Sequence, residues 1–138
     1  MKEITLEATV QNIRTIIDWI DGELEQVNCP LKAQMQIDVA ADEIMANISS
    51  YAYAPDTGNV TVGFSYDESS QTAAVTFTDY GIPFDPLKKE EPDVTLGAEE
   101  RAIGGLGIFL VRKTMDEVSY HREGEKNILT IRKKFAGA

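Results

Sequence analysis

No stretch of this chain approaches a run of about 18 consecutive apolar residues, the length of a membrane span. The opening Met1-Lys2-Glu3-Ile4 also lacks the apolar core of a secretory signal. Both absences lead us to expect a cytoplasmic protein. Cysteine occurs once, as Cys29, and histidine once, as His121, which excludes a disulfide framework and a Cys/His metal cluster. Basic residues are few: 13 Lys and Arg stand against 23 Asp and Glu, for a formal net charge of -10. Nucleic-acid binders gain most of their affinity by neutralising phosphates with clustered Lys and Arg, so this balance points instead to a protein or small-molecule partner. There is no Gly-x-x-x-x-Gly-Lys-Ser/Thr run, hence no Walker-type phosphate loop. Internal repeats, low-complexity stretches and linkers are absent too. The chain does have 138 residues with 43% hydrophobic content, suited to one domain over 1–138 with a single core.

The apolar pattern divides that chain into elements. Ile4, Leu6, Ala8 and Val10 alternate with polar neighbours, as in a half-buried strand. Ile13, Ile16, Ile17, Ile20, Leu24 and Val27 then recur at steps of three and four, predicting a helix over 11–27 that ends at Asn28-Cys29-Pro30. A second helix, opened by Pro30 and running to about Tyr51, carries Ile37, Ala40, Ala41, Ile44 and Ile48 on its core stripe. Val60, Val62, Phe64 and Tyr66, then Ala73, Val75 and Phe77, read as a β-hairpin. Residues 83–103 show no apolar period and form a long loop, of the kind that serves as a functional lid or is disordered. Residues 107–115 read as a helix, and Val118, Tyr120, Leu129 and Ile131 belong to two strands joined at Glu123-Gly124-Glu125. The order β-α-α-β-β-loop-α-β-β predicts an α+β fold: a two-layer α/β sandwich with a mixed, mostly antiparallel sheet and helices on one face.

Three short segments carry candidate chemistry. Glu43 and Asn47, at i and i+4, share a helix face: a carboxylate able to accept a proton and an amide oxygen suited to Mg²⁺. Such pairs also occur on ordinary solvated faces. Asp79 follows the parity of Val75 and Phe77, so its carboxylate turns to the buried side of the sheet, where it can accept from an exocyclic amino group such as that of adenine. An Asp before Tyr80-Gly81 is equally a turn-starting residue, and Asp85 before Pro86 is read as turn chemistry. Gly104-Gly105-Leu106-Gly107 precedes a helix, where backbone N–H groups can approach an anion closely, or where glycines merely join loop to helix. Arg101, beside Glu99 and Glu100, could reach a terminal phosphate, or is one more surface charge. Together the segments are a set of parts for holding Mg-ATP.

In order and spacing these segments resemble the Bergerat-type ATP-binding fold of the GHKL superfamily, and most of all the small anti-sigma-factor serine/threonine kinases of bacteria. Asp42 to Tyr53 resembles the box around the first pair, Asp79 to Pro86 the second box with its Phe-Asp-Pro ending, and Gly104 to Leu110 the glycine box. Met115-Asp116-Glu117-Val118 is similar to the family's stretch just past the glycine box. The resemblance implies Glu43 as general base, Asn47 as Mg²⁺ ligand, Asp79 as adenine contact and Gly81 as its support. Gly105 and Gly107 would line the phosphates, and Arg101 would touch the γ-phosphate. It further implies ATP and Mg²⁺ as cofactors, a small anti-sigma-antagonist protein of the STAS-like kind as substrate, a sigma factor as second partner, and a homodimer. Two positions depart from the pattern: Pro83 replaces the second glycine of many members, and Tyr51 replaces a common histidine. The expected function is a protein serine/threonine kinase acting as a regulatory switch. The alternative is a nucleotide-dependent module that sequesters a partner without transfer. The catalytic half of a histidine kinase fits poorly, since His121 lies in a predicted strand.

Overall fold

The computed structural model describes residues 1–53, 56–83 and 105–135. Strand β1 spans Lys2–Glu7, helix α1 Val10–Gln26 and helix α2 Leu31–Asn47, continued by a π-helical turn over Ile48–Ala52. Strands β2 (Asn59–Asp67) and β3 (Thr72–Asp79) form the hairpin. Helix α3 (Gly105–Thr114) precedes a second hairpin of β4 (Glu117–Glu123) and β5 (Lys126–Lys134). The element order matches the expectation, and the long loop expected over 83–103 lies outside the described residues except for Pro83.

Asn28 stops α1. Its φ of 58° is left-handed, a region Asn tolerates better than most side chains. The turn lets Cys29 N donate to Leu24 O and Asn28 N to Glu25 O, each at 3.1 Å, which closes two carbonyls at the helix end. Pro30 then sits just ahead of α2, and its carbonyl accepts from Gln34 N at 3.0 Å.

The five strands run in the order β1-β2-β3-β5-β4, and every pairing among the described residues is antiparallel. Period-two alternation puts Val60, Val62, Val75, Phe77, Leu129 and Ile131 on the face covered by helices. Onto it pack Ile16, Ile20 and Leu24 from α1 and Ile37, Ala41, Ile44 and Met45 from α2, all nearly or completely buried. The opposite face carries hydroxylated side chains, with Thr5 bonded to Thr61 at 2.8 Å and Thr76 to Thr130 at 3.2 Å. One covered face and one open face make the expected two-layer sandwich. Because β5 lies between β3 and β4, Asp79 at the end of β3 stands directly opposite Asn127 at the start of β5. That adjacency shapes the site.

Candidate functional site

The second helix was expected to reach Tyr51, but its α-helical hydrogen bonding ends at Asn47. Here side chains compete for the helix carbonyls: Asn47 Nδ2 donates to Glu43 O at 2.8 Å, and Ser49 Oγ to Ala46 O at 3.0 Å. The chain then widens into a π turn, a device frequent at functional sites. Asn47 Nδ2 also donates to Glu43 Oε1 at 3.0 Å, so the two residues meet as their spacing implies. With its nitrogen committed to Glu43, the amide turns Oδ1 the other way. Asn47 is buried and Glu43 half-buried, an unusual setting for a carboxylate and an amide on a helix of this size.

The π turn delivers Ala52 to the exit of β3. Ala52 O accepts from Ile82 N at 3.0 Å, and Gly81 is pressed against the same carbonyl. A Cβ on Gly81 would lie 2.1 Å from Ala52 O, so only glycine fits this approach. Tyr53 closes the other side: its hydroxyl donates to Asn59 O at 2.6 Å and accepts from Tyr80 N at 2.7 Å. Burial pushes the Tyr53 phenol above its ordinary range; the Tyr80 N–H opposes this, and the charge of Asp79 adds to it.

Asp79 is 4% exposed, as its strand parity predicts. Its Oδ1 accepts from Gly81 N at 2.8 Å and from Asn127 Nδ2 at 2.9 Å. Among the described residues both bonds fall on Oδ1, leaving Oδ2 for a donor in the cleft. That cleft lies between α2, the π turn and the sheet. Asn47, Asp79 and Asn127 are its polar groups with Tyr120, and Ile44, Ile48, Phe77 and Leu129 give it apolar walls. An apolar slot with a few convergent polar groups is the ordinary form of a small-molecule site.

Glu43, Asn47, Asp79 and Gly81, each singled out from the sequence, thus share one neighbourhood. Gly105 and Gly107 occupy the first turn of α3, which packs against α2, and the first-turn N–H groups of any helix, having no intrahelical acceptor, carry partial positive charge. Arg101, Gly104 and Asp85 lie outside the described residues. Missed were Asn127, Arg122, Tyr120 and Tyr53. Asn127 had a usable signal, since it shares the core-facing parity of Leu129 and Ile131, as Asp79 shares that of Val75 and Phe77.

The donor set suits hard cations and adenine. Among the described residues no group of three or more His, Cys, Asp or Glu could cage a metal. Mg²⁺ does not need one, because it commonly takes one or two protein oxygens with phosphates and water. Asn47 Oδ1 has that character. No helix among the described residues is long and apolar enough to cross a membrane.

Comparison with known proteins places the fold in a family. Residues 6–133 match the model of the histidine kinase-like ATPase domain. A serine-protein kinase RsbW of Listeria monocytogenes is 30% identical over 117 residues, 80% of this chain and 73% of that protein. The serine/threonine-protein kinase BtrW of Bordetella bronchiseptica is 22% identical over 128 residues, 93% of this chain and 89% of its own length. In structure, the RsbU and RsbW domains of a Mycobacterium tuberculosis protein align with a TM-score of 0.63 at 13% identity, covering 97% of this chain and 32% of that one. The chain thus belongs to the histidine kinase-like ATPase (GHKL) family, in the branch of the bacterial anti-sigma-factor serine/threonine kinases.

Proposed function

We propose that this chain is an ATP- and Mg²⁺-dependent protein serine/threonine kinase that works as a cytoplasmic regulatory switch, phosphorylating a small STAS-like anti-sigma-antagonist protein. The observation that carries this reading is the joining of two functions in one place. Glu43 is hydrogen-bonded to Asn47, and Asn47 lines the same cleft as Asp79. A module that only bound nucleotide would need Asp79 and the apolar walls; it would not need a half-buried carboxylate locked to the amide.

Bound Mg-ATP supplies the transferable phosphoryl group and the counter-charge that eases its transfer. The chain's residues supply position and proton control, which is most of what phosphoryl transfer asks of a protein. Asp79 would accept from the adenine amino group, with Gly81 keeping the turn close enough for the pocket to form. Asn47 Oδ1 would face the cation while its nitrogen holds Glu43 in place. Glu43 would take the proton from a serine or threonine hydroxyl brought up by the partner protein. Gly105 and Gly107 would line the phosphates, and Arg101 would touch the terminal one. A sigma factor as second partner and a homodimeric assembly belong to the same proposal.

The deciding experiment is transfer of labelled phosphate from ATP to a purified antagonist-type partner by Glu43→Gln beside the wild type. Gln keeps an oxygen for Asn47 but cannot accept the proton. Transfer should fall by about 10²- to 10⁴-fold with ATP affinity held within a few-fold. Transfer that survives removes Glu43 as base. Stable, nucleotide-dependent binding of the partner with no transfer by the wild type would mean a sequestering module.

A further inference from the structure

Asn127 opens β5 on the core-facing side and is 5% exposed. All its hydrogen-bonding capacity is used. Nδ2 donates to Asp79 Oδ1 at 2.9 Å and to Ile82 O at 2.8 Å, with Gly81 O further off at 3.5 Å. Oδ1 accepts from the Tyr120 hydroxyl and from Arg122 Nη1, the latter at 3.1 Å. Arg122 is itself fixed, because Nη1 also donates to Gly81 O at 2.9 Å and Nε to Gly124 O at 3.2 Å.

This arrangement has one permitted orientation. A guanidinium has donors and no acceptor, so the amide must turn its oxygen to Arg122. Its nitrogen then faces Asp79. An N–H on Oδ1 keeps Asp79 an acceptor on both oxygens, and the bond to Ile82 O holds the turn that roofs the pocket. Fully occupied itself, Asn127 has nothing left for a ligand and acts through Asp79.

We infer that Asn127, oriented by Arg122 and Tyr120, is a positioning residue of the nucleobase subsite that makes it select a purine with an amino group at C6 over one with an oxo group. An amino group donates to the Asp79 oxygen that remains, whereas a 6-oxo group sets two acceptors against each other. The inference rests on the reading of the cleft as an ATP site.

Its test is calorimetric titration with Mg-ATP and Mg-ITP, which differ at C6, from about pH 6 to about pH 8.5. Wild type, Asn127→Asp and Arg122→Met are compared, each with its melting temperature. Asn127→Asp sets a second carboxyl against Asp79, and the pair will hold one shared proton at low pH. The groups facing that pair are Tyr120 and Arg122 from β4, Tyr53 just past the π turn, and Tyr80 with Lys126 above its ring at 5.9 Å. Losing the shared proton leaves two opposed carboxylates and turns a carboxylate toward Ile82 O. The ratio of variant to wild-type ATP affinity, from which the titration of the nucleotide cancels, should therefore drop at least about tenfold across the range. Arg122→Met frees the amide to flip and should shrink the preference for ATP over ITP by at least about fivefold at neutral pH.

Variants that keep the wild-type ratios at every pH overturn the inference. So does an equal loss for both nucleotides at every pH that tracks a fall in melting temperature, since that is a structural role alone. Should Asn127→Asp fail to fold, Arg122→Met decides. A wild type that binds no ATP overturns the parent reading and this inference with it, while ATP binding with unresponsive variants removes only the role of Asn127.

Discussion

Among the described residues, two carboxylate sites meet the protein interior in opposite ways. At the end of β3, Asp79 receives two N–H donors on one oxygen and lines a cleft with the other. Between α1 and α2, Asp21 and Asp38 bring their Oδ1 atoms into the interior, where no N–H group among the described residues meets them. The two carboxyls face each other, so burial, a hydrogen bond with Asp21 and its charge push Asp38 up to about 8, opposed by Arg14 and aided by Asp18. Cys29 feels the same surroundings: burial and the charges of Asp38 and Asp21 raise its thiol to about 11, leaving it inert at neutral pH. A buried acid with donors stays an acceptor and can recognise something. A buried acid opposite another acid spends its chemistry holding a proton.

The contrast is best broken at Asp79. Asp79→Asn keeps an oxygen for Gly81 N and Asn127 Nδ2 but presents an NH₂ to the cleft, against the amino group of adenine. ATP affinity should fall about ten- to a hundredfold with little change in melting temperature, since a hydrogen bond to a charged group is worth about 1.5–3 kcal/mol. Unchanged affinity on titration would take Asp79 out of the site.

Gly81→Ala attacks the support of that acid without touching its charge. The new methyl meets the Ala52 carbonyl at 2.1 Å, so the turn must move and the Ile82–Ala52 bond must loosen. A loss of about 1–3 kcal/mol in denaturant unfolding is expected, together with weaker ATP binding. Full stability would show that the π turn and the β3 exit are not held as tightly as their geometry implies.

The smallest effect lies at the other acid. The folded chain keeps a proton on the Asp38 pair up to about pH 8, while the unfolded chain gives it up near the ordinary 3.8. Stability from this pair therefore declines as pH rises from about 4 to about 8 and levels off above, because the folded state binds the extra proton. Asp38→Asn should flatten that decline and raise the melting temperature above pH 8, with the gain shrinking toward pH 4. A variant whose melting curve keeps the wild-type pH slope would show that Asp38 is not the group holding the proton.

These differences explain what was legible in the sequence. Helical spacing showed Glu43 and Asn47 together because i and i+4 are neighbours on any helix. Strand parity buried Asp79 because a strand has only two faces. The element order, and with it the two-layer sandwich, came from the same two periods. The partners of Asp79 were invisible because they depend on strand order. Asn127 is 48 positions away and becomes adjacent only because β5 enters between β3 and β4. The π turn was also hidden, since Ile48–Ala52 carries no residue that forbids an ordinary helix. The carboxyl pair was hidden because helical spacing does not say which polar residues of α1 and α2 turn toward each other across the helix pair.

The placement of β5 has a consequence for how the protein comes into being. The strand lying beside β3 is the last element of the described chain to be synthesised, and it brings Asn127 and Leu129 to the cleft. A nascent chain that has completed β3 owns Asp79 but lacks the wall opposite it, and the edge of β3 stays open until β5 arrives. Nucleotide binding is thus coupled to the slow, long-range pairing rather than to the early local helices. Capacity to hold ATP should appear late and abruptly as the chain lengthens, making it a reporter of completed folding.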